Sequence, residues 1–282
     1  MSTSLRISAA TFLAFLGLSS GVSLAQAVKP NKLPVSVNQT DSRTRIPAPD
    51  SVLDTRLSSN QIDDKINDVY QEVVKIHLNG DYASAADKYR SVVIPMAERA
   101  QSDAIRKKFL FLGYRGLGNC YLAMTRFNEA EDMFQKLFEY LPISPATVDS
   151  DYAINFESIA MAQMGQQLWK SAEESLQKAV SIFDDQIGRA ATNTEPNGRA
   201  DKLRMSQDMA LNLFAVVYFR EQRYSEALGI LERAYNQGVT FRAPAEIVEQ
   251  IVNDGRAVSM ATGDVDAITT WSRRIPESPI SR

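Results

Sequence analysis

The sequence predicts an all-α chain in which antiparallel helix pairs lie side by side. Three observations predict it. From Ile62 onward, apolar residues recur at spacings of three and four, which gathers them on one helix face. Short turns such as Gly80-Asp81 and Gly263-Asp264 interrupt these runs. Four times an aromatic residue precedes a small one by three positions: Tyr82 and Ala85, Phe127 and Ala130, Trp169 and Ala172, Tyr224 and Ala227.

The N-terminus comes before this pattern. Arg6 and the α-amino group supply a positive start, and the apolar run Ile7 to Leu18 follows. That run suits a signal core and is shorter than the roughly 20 residues a membrane span needs. Ala25-Gln26-Ala27 offers small residues for cleavage after Ala27. Residues 1–27 therefore read as an export signal, and the protein is expected to be periplasmic or secreted. An uncleaved anchor would be weakened by Ser19, Ser20, Gly21 and Ser23, and an organelle presequence would carry more arginine. No cysteine follows the apolar run, so no lipid anchor is expected. No later segment approaches spanning length, so no stable membrane insertion is expected after cleavage.

Residues 28–60 hold Pro30, Pro34, Pro47 and Pro49 among Ser, Asn, Thr and Asp, without apolar periodicity. Such a stretch buries too little surface to offset its ordering entropy, and it reads as a disordered arm. The helical domain is expected over 61–275. Ile62, Ile66, Val69, Tyr70, Val73 and Ile76 share the face of a first helix, which ends where Gly80 can take the left-handed conformation. A second helix puts Ala85, Tyr89, Val92 and Val93 inward, and Pro95 should kink or end it.

The unit recurs most clearly as Tyr114-Arg-Gly-Leu117-Gly118-Asn-Cys-Tyr121, then Arg126-Phe127 to Ala130 and Phe134, then Pro142. Gly118 and Ala130 let two helices approach closely, and the rings of Tyr114, Tyr121 and Phe134 fill the space around that contact. Residues 69–92, 156–179 and 211–234 overlay it. The second of these contributes Phe156, Ile159, Ala160, Leu176 and Ala179, and the third Leu211, Phe214, Ala215, Tyr218, Leu231 and Ala234. A degenerate fifth hairpin follows, with Pro244 in a first helical turn, Ile247, Ile251, Val252 and Val258 apolar, and Trp271 on a short last helix. Residues 276–282 should fray.

Composition removes several functions. A formal charge of −3 and a pI near 5.4 argue against nucleic-acid binding, which uses a basic stripe. Cys120 is the only cysteine and His77 the only histidine, so an intramolecular disulfide and a Cys/His zinc site both lack partners. Neither a metal nor a cofactor is expected. His77 falls at a helix end, where the dipole favours a partly protonated imidazole, and it reads as structural or surface. Asp63-Asp64, Glu129-Glu131, Glu173-Glu174 and Asp184-Asp185 read as solvated helix surface, because sequence neighbours do not place carboxylates across a cleft. Gly113 and Gly116 lie within a helix and read as packing devices, not as a phosphate loop. No catalytic residue is assigned.

The quoted motif resembles the tetratricopeptide repeat, W-x2-L-G-x2-Y, then A-x3-F, then P, with Tyr114 standing in for the tryptophan. Successive copies here are offset by 45, 42 and 55 residues between Ala85, Ala130, Ala172 and Ala227. The family period is about 34. Longer helices and loops, above all the polar Gly188 to Gly198 region, account for the excess. The resemblance implies a right-handed superhelical solenoid of about four repeats whose concave face, lined by the leading helices, holds a protein or peptide. It points to Tyr70, Val74 and His77; Arg115, Asn119 and Leu122; Glu157, Met161 and Met164; and Asn212, Val216 and Phe219. Arg115 and Asn119 resemble part of the clamp with which some members grip a peptide's C-terminal carboxylate. Ser158, Met209 and Leu213 stand where the rest of it is needed, so the clamp is incomplete. The implied role is a non-catalytic scaffold of the bacterial envelope. A hydrolase acting on cell-wall glycans, or a subunit of a larger envelope machine, are the alternatives.

Overall fold

The computed structural model describes residues 57–141, 150–192 and 198–274. The export signal, the arm up to residue 56, Pro142 and the 276–282 tail lie outside the described residues. Every regular element among those described is helical. The chain divides into two compact units, split in sequence between Met124 and Thr125.

Among the described residues, the first unit holds three helices. Helix α1 (Ser59–Leu78) begins on a capping box: the Ser58 side chain accepts from the Gln61 backbone, and the Gln61 side chain accepts from the Ser58 N–H. It ends at a turn where Gly80 takes φ 82°, as its position suggested. Helix α2 (residues 82–99) starts as Tyr82–Lys88, widens into a π turn over Tyr89–Val93 and finishes as Ile94–Arg99. Pro95 therefore does not end the helix. The Ile94 N–H reaches back five residues to the Tyr89 carbonyl, and the wider turn makes room for a ring that a regular turn would reject. Helix α3 (Asp103–Ala123) is capped by Ser102.

Asp63 of α1 accepts from the Gln101 and Ser102 backbone N–H groups, both at 3.0 Å, and so ties the α2–α3 turn to the first helix. Ile62, Ile66, Val73, Ala85, Tyr89 and Val93 form the core of this unit, none more than 2% exposed. Burying each large apolar side chain is worth about 1.5–3 kcal/mol.

Among the described residues, the second unit strings seven helices, each packed on the next. They are α4 (Phe127–Lys136, closed by a 3-10 turn over Leu137–Glu139), α5 (Ser150–Gly165), α6 (Trp169–Thr192), α7 (Gly198–Arg220), α8 (Tyr224–Thr240), α9 (Ala245–Thr262) and α10 (Val265–Ser272). The small residues that defined the pattern are fully buried: Ala85 in the first unit and Ala130, Ala172 and Ala227 in the second are each 0% exposed. Pro244 lies at the N-cap of α9, one residue before the first turn.

The turns inside the pairs share a device that composition hides. Gln167 and Gln222 take left-handed φ of 62° and 61°, each two residues before the aromatic that opens the next helix, as Gly80 does before Tyr82. Thr125 (φ 59°) stands in the same place before Phe127. Gly263 (φ 72°) does so before Val265.

Candidate functional site

In the first unit, Tyr70 and Val74 on α1 and Arg115 on α3 are half-buried and keep part of their surface. The Tyr70 ring meets Phe109 edge-on at 5.8 Å and lies 6.3 Å from Tyr89. Burial pushes the Tyr70 phenol above its ordinary value, while the Arg115 charge pulls the other way. The Arg115 guanidinium lies 4.8 Å from the Phe111 ring centre. Asn119 and Leu122 are buried in the same helix.

His77 is not the partly charged helix-end group its position suggested. It is 3% exposed, and its ring packs edge-on against Tyr82 and Tyr89. Burial pulls its pKa down to about 4, because an imidazolium there would lose its hydration. Its Nδ1 lies 3.5 Å from Cys120 Sγ, so the fold brings the sole histidine and the sole cysteine together. Burial pushes the Cys120 thiol up to about 12. A neutral imidazole beside a protonated, buried thiol is a packing contact with no nucleophile in it.

In the second unit, Glu157, Met161, Met164 and Val216 are all buried, at 1%, 4%, 1% and 1% exposure, and offer almost no surface. Asn212 and Phe219 are half-buried, the Phe219 ring lying 5.6 Å from Tyr224. The leading-helix positions thus divide. Tyr70, Val74, Arg115, Asn212 and Phe219 keep surface, and the other seven are interior.

The acidic pairs are corrected in part. One carboxylate of each pair is engaged between elements: Asp63 holds the α2–α3 turn, and one from each of the other three pairs joins neighbouring helices. Glu131 accepts from Gln163 and Gln166 of α5 at 2.9 and 2.6 Å. Glu173 takes the Tyr218 hydroxyl at 3.1 Å and Arg223 at 2.7 Å. Asp184 accepts from Gln207 at 2.7 Å and also pairs with Arg233. Among the described residues, no group of three or more His, Cys, Asp or Glu side chains could hold a metal ion. No described helix is long and apolar enough to cross a membrane.

One feature was missed from sequence. Phe156, read as core, is half-buried and lines an open groove of about 580 Å³ together with Glu174, Gln177, Lys178, Ser181 and Ile182 of α6. Beside it, Phe138 lies 4.9 Å from Phe156 and 5.7 Å from Tyr152. The signal was there: positions 174, 177, 178, 181 and 182 follow the helical period, four of them polar, on the side of α6 away from Ala172, Leu176, Ala179 and Phe183.

Side-by-side helix pairs with small residues at each close approach define a helical-repeat fold of the tetratricopeptide kind. The crystal structure of BtubC (BKLC) from P. vanneervenii is similar with a TM-score of 0.60 at 16% identity, over 77% of this chain and 80% of that one. A crystal structure of Podosopora anserina kinesin-light-chain-type TPR-like repeats that are nearly identical to one another gives 0.54 at 16% identity, over 76% and 94%. At that identity the likeness shows the fold alone. No family model and no curated protein matches the sequence.

Proposed function

We propose that the chain is a non-catalytic scaffold, exported to the cell envelope of a bacterium, that holds a protein or an extended peptide against its leading helices. The observation that carries this reading is the set of leading-helix side chains that keep surface. Tyr70, Val74 and Arg115 do so in one unit, and Asn212 and Phe219 in the other. They combine aromatic area, an aliphatic contact, a cation and an amide, the mixture that interface anchors use. Export rests on the Ile7 to Leu18 run and on Ala25-Gln26-Ala27. A hydrolase gains little support, since Glu131, Glu173 and Asp184 are engaged in joining helices.

The test is affinity capture of the mature chain from envelope extracts, repeated with Arg115→Ala and Phe219→Ala together. Partners should be lost while the circular dichroism spectrum is unchanged. Full retention of every partner would sink the leading-helix assignment. Edman sequencing of the envelope form should begin at Val28, and an intact Met1 would sink the cleaved signal. A second reading, a permanent subunit of an envelope machine, draws on exposed apolar side chains of trailing helices, Val239 at 52% and Val265 at 71%. Co-migration of the whole cellular pool with one large complex would favour it.

A further inference from the structure

We infer that the groove between Phe156 and the outer face of α6 is a second binding site, taking an extended peptide that carries an aromatic residue between one basic and one acidic residue. This goes beyond the leading-helix reading, since most of its lining comes from a trailing helix. The polar residues of α6 fall into two groups. Those toward neighbouring helices are engaged: Glu173 with Tyr218 and Arg223, Ser175 with Gln163, Asp184 with Gln207 and Arg233. The side chains along the groove, Glu174, Gln177, Lys178 and Ser181, make no hydrogen bond or ion pair among the described residues. Lys178 instead holds its ammonium 5.4 Å from the centre of the Phe156 ring. The groove thus offers an aromatic face, the aliphatic Ile182, one cation and one anion that make no ion pair among the described residues, and two neutral hydrogen-bonding side chains.

The spacing selects the occupant. Glu174 and Lys178 are four residues apart on a helix, about 6 Å along its axis. In an extended peptide, residues i and i+2 lie about 6.6 Å apart on one side, and residue i+1 points to the other. A basic residue at one position and an acidic one two further on can therefore meet Glu174 and Lys178 together. The residue between them then faces Phe156. Gln177 and Ser181 can each donate to and accept from the peptide backbone. The volume of about 580 Å³ falls in the range of small-ligand sites.

The test is an NMR titration of the isotope-labelled full-length chain with Ac-Lys-Phe-Asp-NH2. The reversed peptide Ac-Asp-Phe-Lys-NH2 reads the strand direction, and Ac-Gln-Phe-Gln-NH2 is the uncharged control. Saturable amide shifts confined to residue 156 and 174–182 are expected, with at least tenfold weaker binding of the control. Lys178→Glu should weaken Ac-Lys-Phe-Asp-NH2 about tenfold and turn the preference to Ac-Lys-Phe-Lys-NH2. Phe156→Ala should abolish the shifts while circular dichroism is unchanged. Equal binding of the uncharged peptide, no change of preference in Lys178→Glu, or shifts centred elsewhere would each overturn the site. Arg115→Ala with Phe219→Ala should leave the titration untouched, so failure here and failure of the leading-helix reading are told apart.

Discussion

The ring of Tyr89 fills the space that a side chain on residue 116 would need: a Cβ on Gly116 would stand 2.4 Å from Tyr89 Cζ. Tyr89 is 1% exposed and wedged in the π turn, so the ring has nowhere to go. Gly165 meets Phe127, and Gly255 meets Trp271, in the same way at 2.4 and 2.3 Å. In each case a glycine of a leading helix stands against an aromatic ring of a trailing helix, the preceding one for Gly116 and Gly165 and the following one for Gly255.

Gly116→Ala sets two effects against each other. Helix propensity favours alanine by about 1 kcal/mol. Forcing a methyl into a filled core costs about 1–3 kcal/mol, and against a rigid ring the upper part of that range applies. The variant should lose about 1–2 kcal/mol in urea denaturation. Gly229→Ala is the control: it lies mid-helix in α8 with nothing within 4 Å of its Cβ, and should gain about 0.5–1 kcal/mol. Equal signs for the two variants would remove the ring-against-glycine account.

The left-handed turns give the opposite kind of test. Gln222 sits exposed at φ 61°, where a side chain costs about 1 kcal/mol and glycine nothing. Gln222→Gly should stabilise the chain by several tenths of a kcal/mol, since the glycine also adds freedom to the unfolded state. Gly263→Ala, at φ 72°, should destabilise it by about 1 kcal/mol. Thermal scans of both variants read the difference, and a loss of stability in Gln222→Gly would contradict the strain.

These turns also mark what the sequence disclosed and what it withheld. Gly80 and Gly263 announced their turns by residue type, whereas Gln167 and Gln222 carry the same backbone on residues that any helix could hold. The alanine and aromatic spacing revealed the pairing, because close packing tolerates few residue types at those points. The binding face was harder to read. Periodicity places Met164 and Val216 on a leading helix but does not say that a neighbour covers them, which is why seven candidates proved interior. Pairing across helices was equally hidden, since Glu173 and Arg223 are 50 residues apart. His77 and Cys120 are 43 apart, and their contact had no local signal.

His77 supplies a pH dependence in the first unit. Its pKa is lowered from 6.5 to about 4 in the fold, so between those values the unfolded chain binds a proton that the folded chain does not. The stability linked to His77 is therefore complete above pH 6.5 and is lost as pH falls through this window, by about 3 kcal/mol in all. His77→Gln should flatten that limb when urea midpoints are compared at pH 7 and pH 4.5. An unchanged slope would mean that the imidazole gains a proton without cost.

Asp208 in the second unit works in the reverse direction. It is 8% exposed on α7, and burial raises its pKa from 3.8 to about 6 although Gln237 donates to its Oδ1 at 3.1 Å. Between these values the folded chain holds a proton that the unfolded chain has released, so stability is complete below pH 3.8 and falls as pH rises through 6. Asp208→Asn keeps an acceptor for Gln237 and removes the buried charge. At pH 7.5 it should raise stability by about 2–3 kcal/mol, and by under about 1 kcal/mol at pH 4, where the folded aspartate is neutral and the unfolded one only about half ionised. Taking the difference between variant and wild type at each pH cancels the His77 contribution, which both share. A gain of the same size at pH 4 and pH 7.5 would show that packing, and not the desolvated charge, sets the stability of this helix.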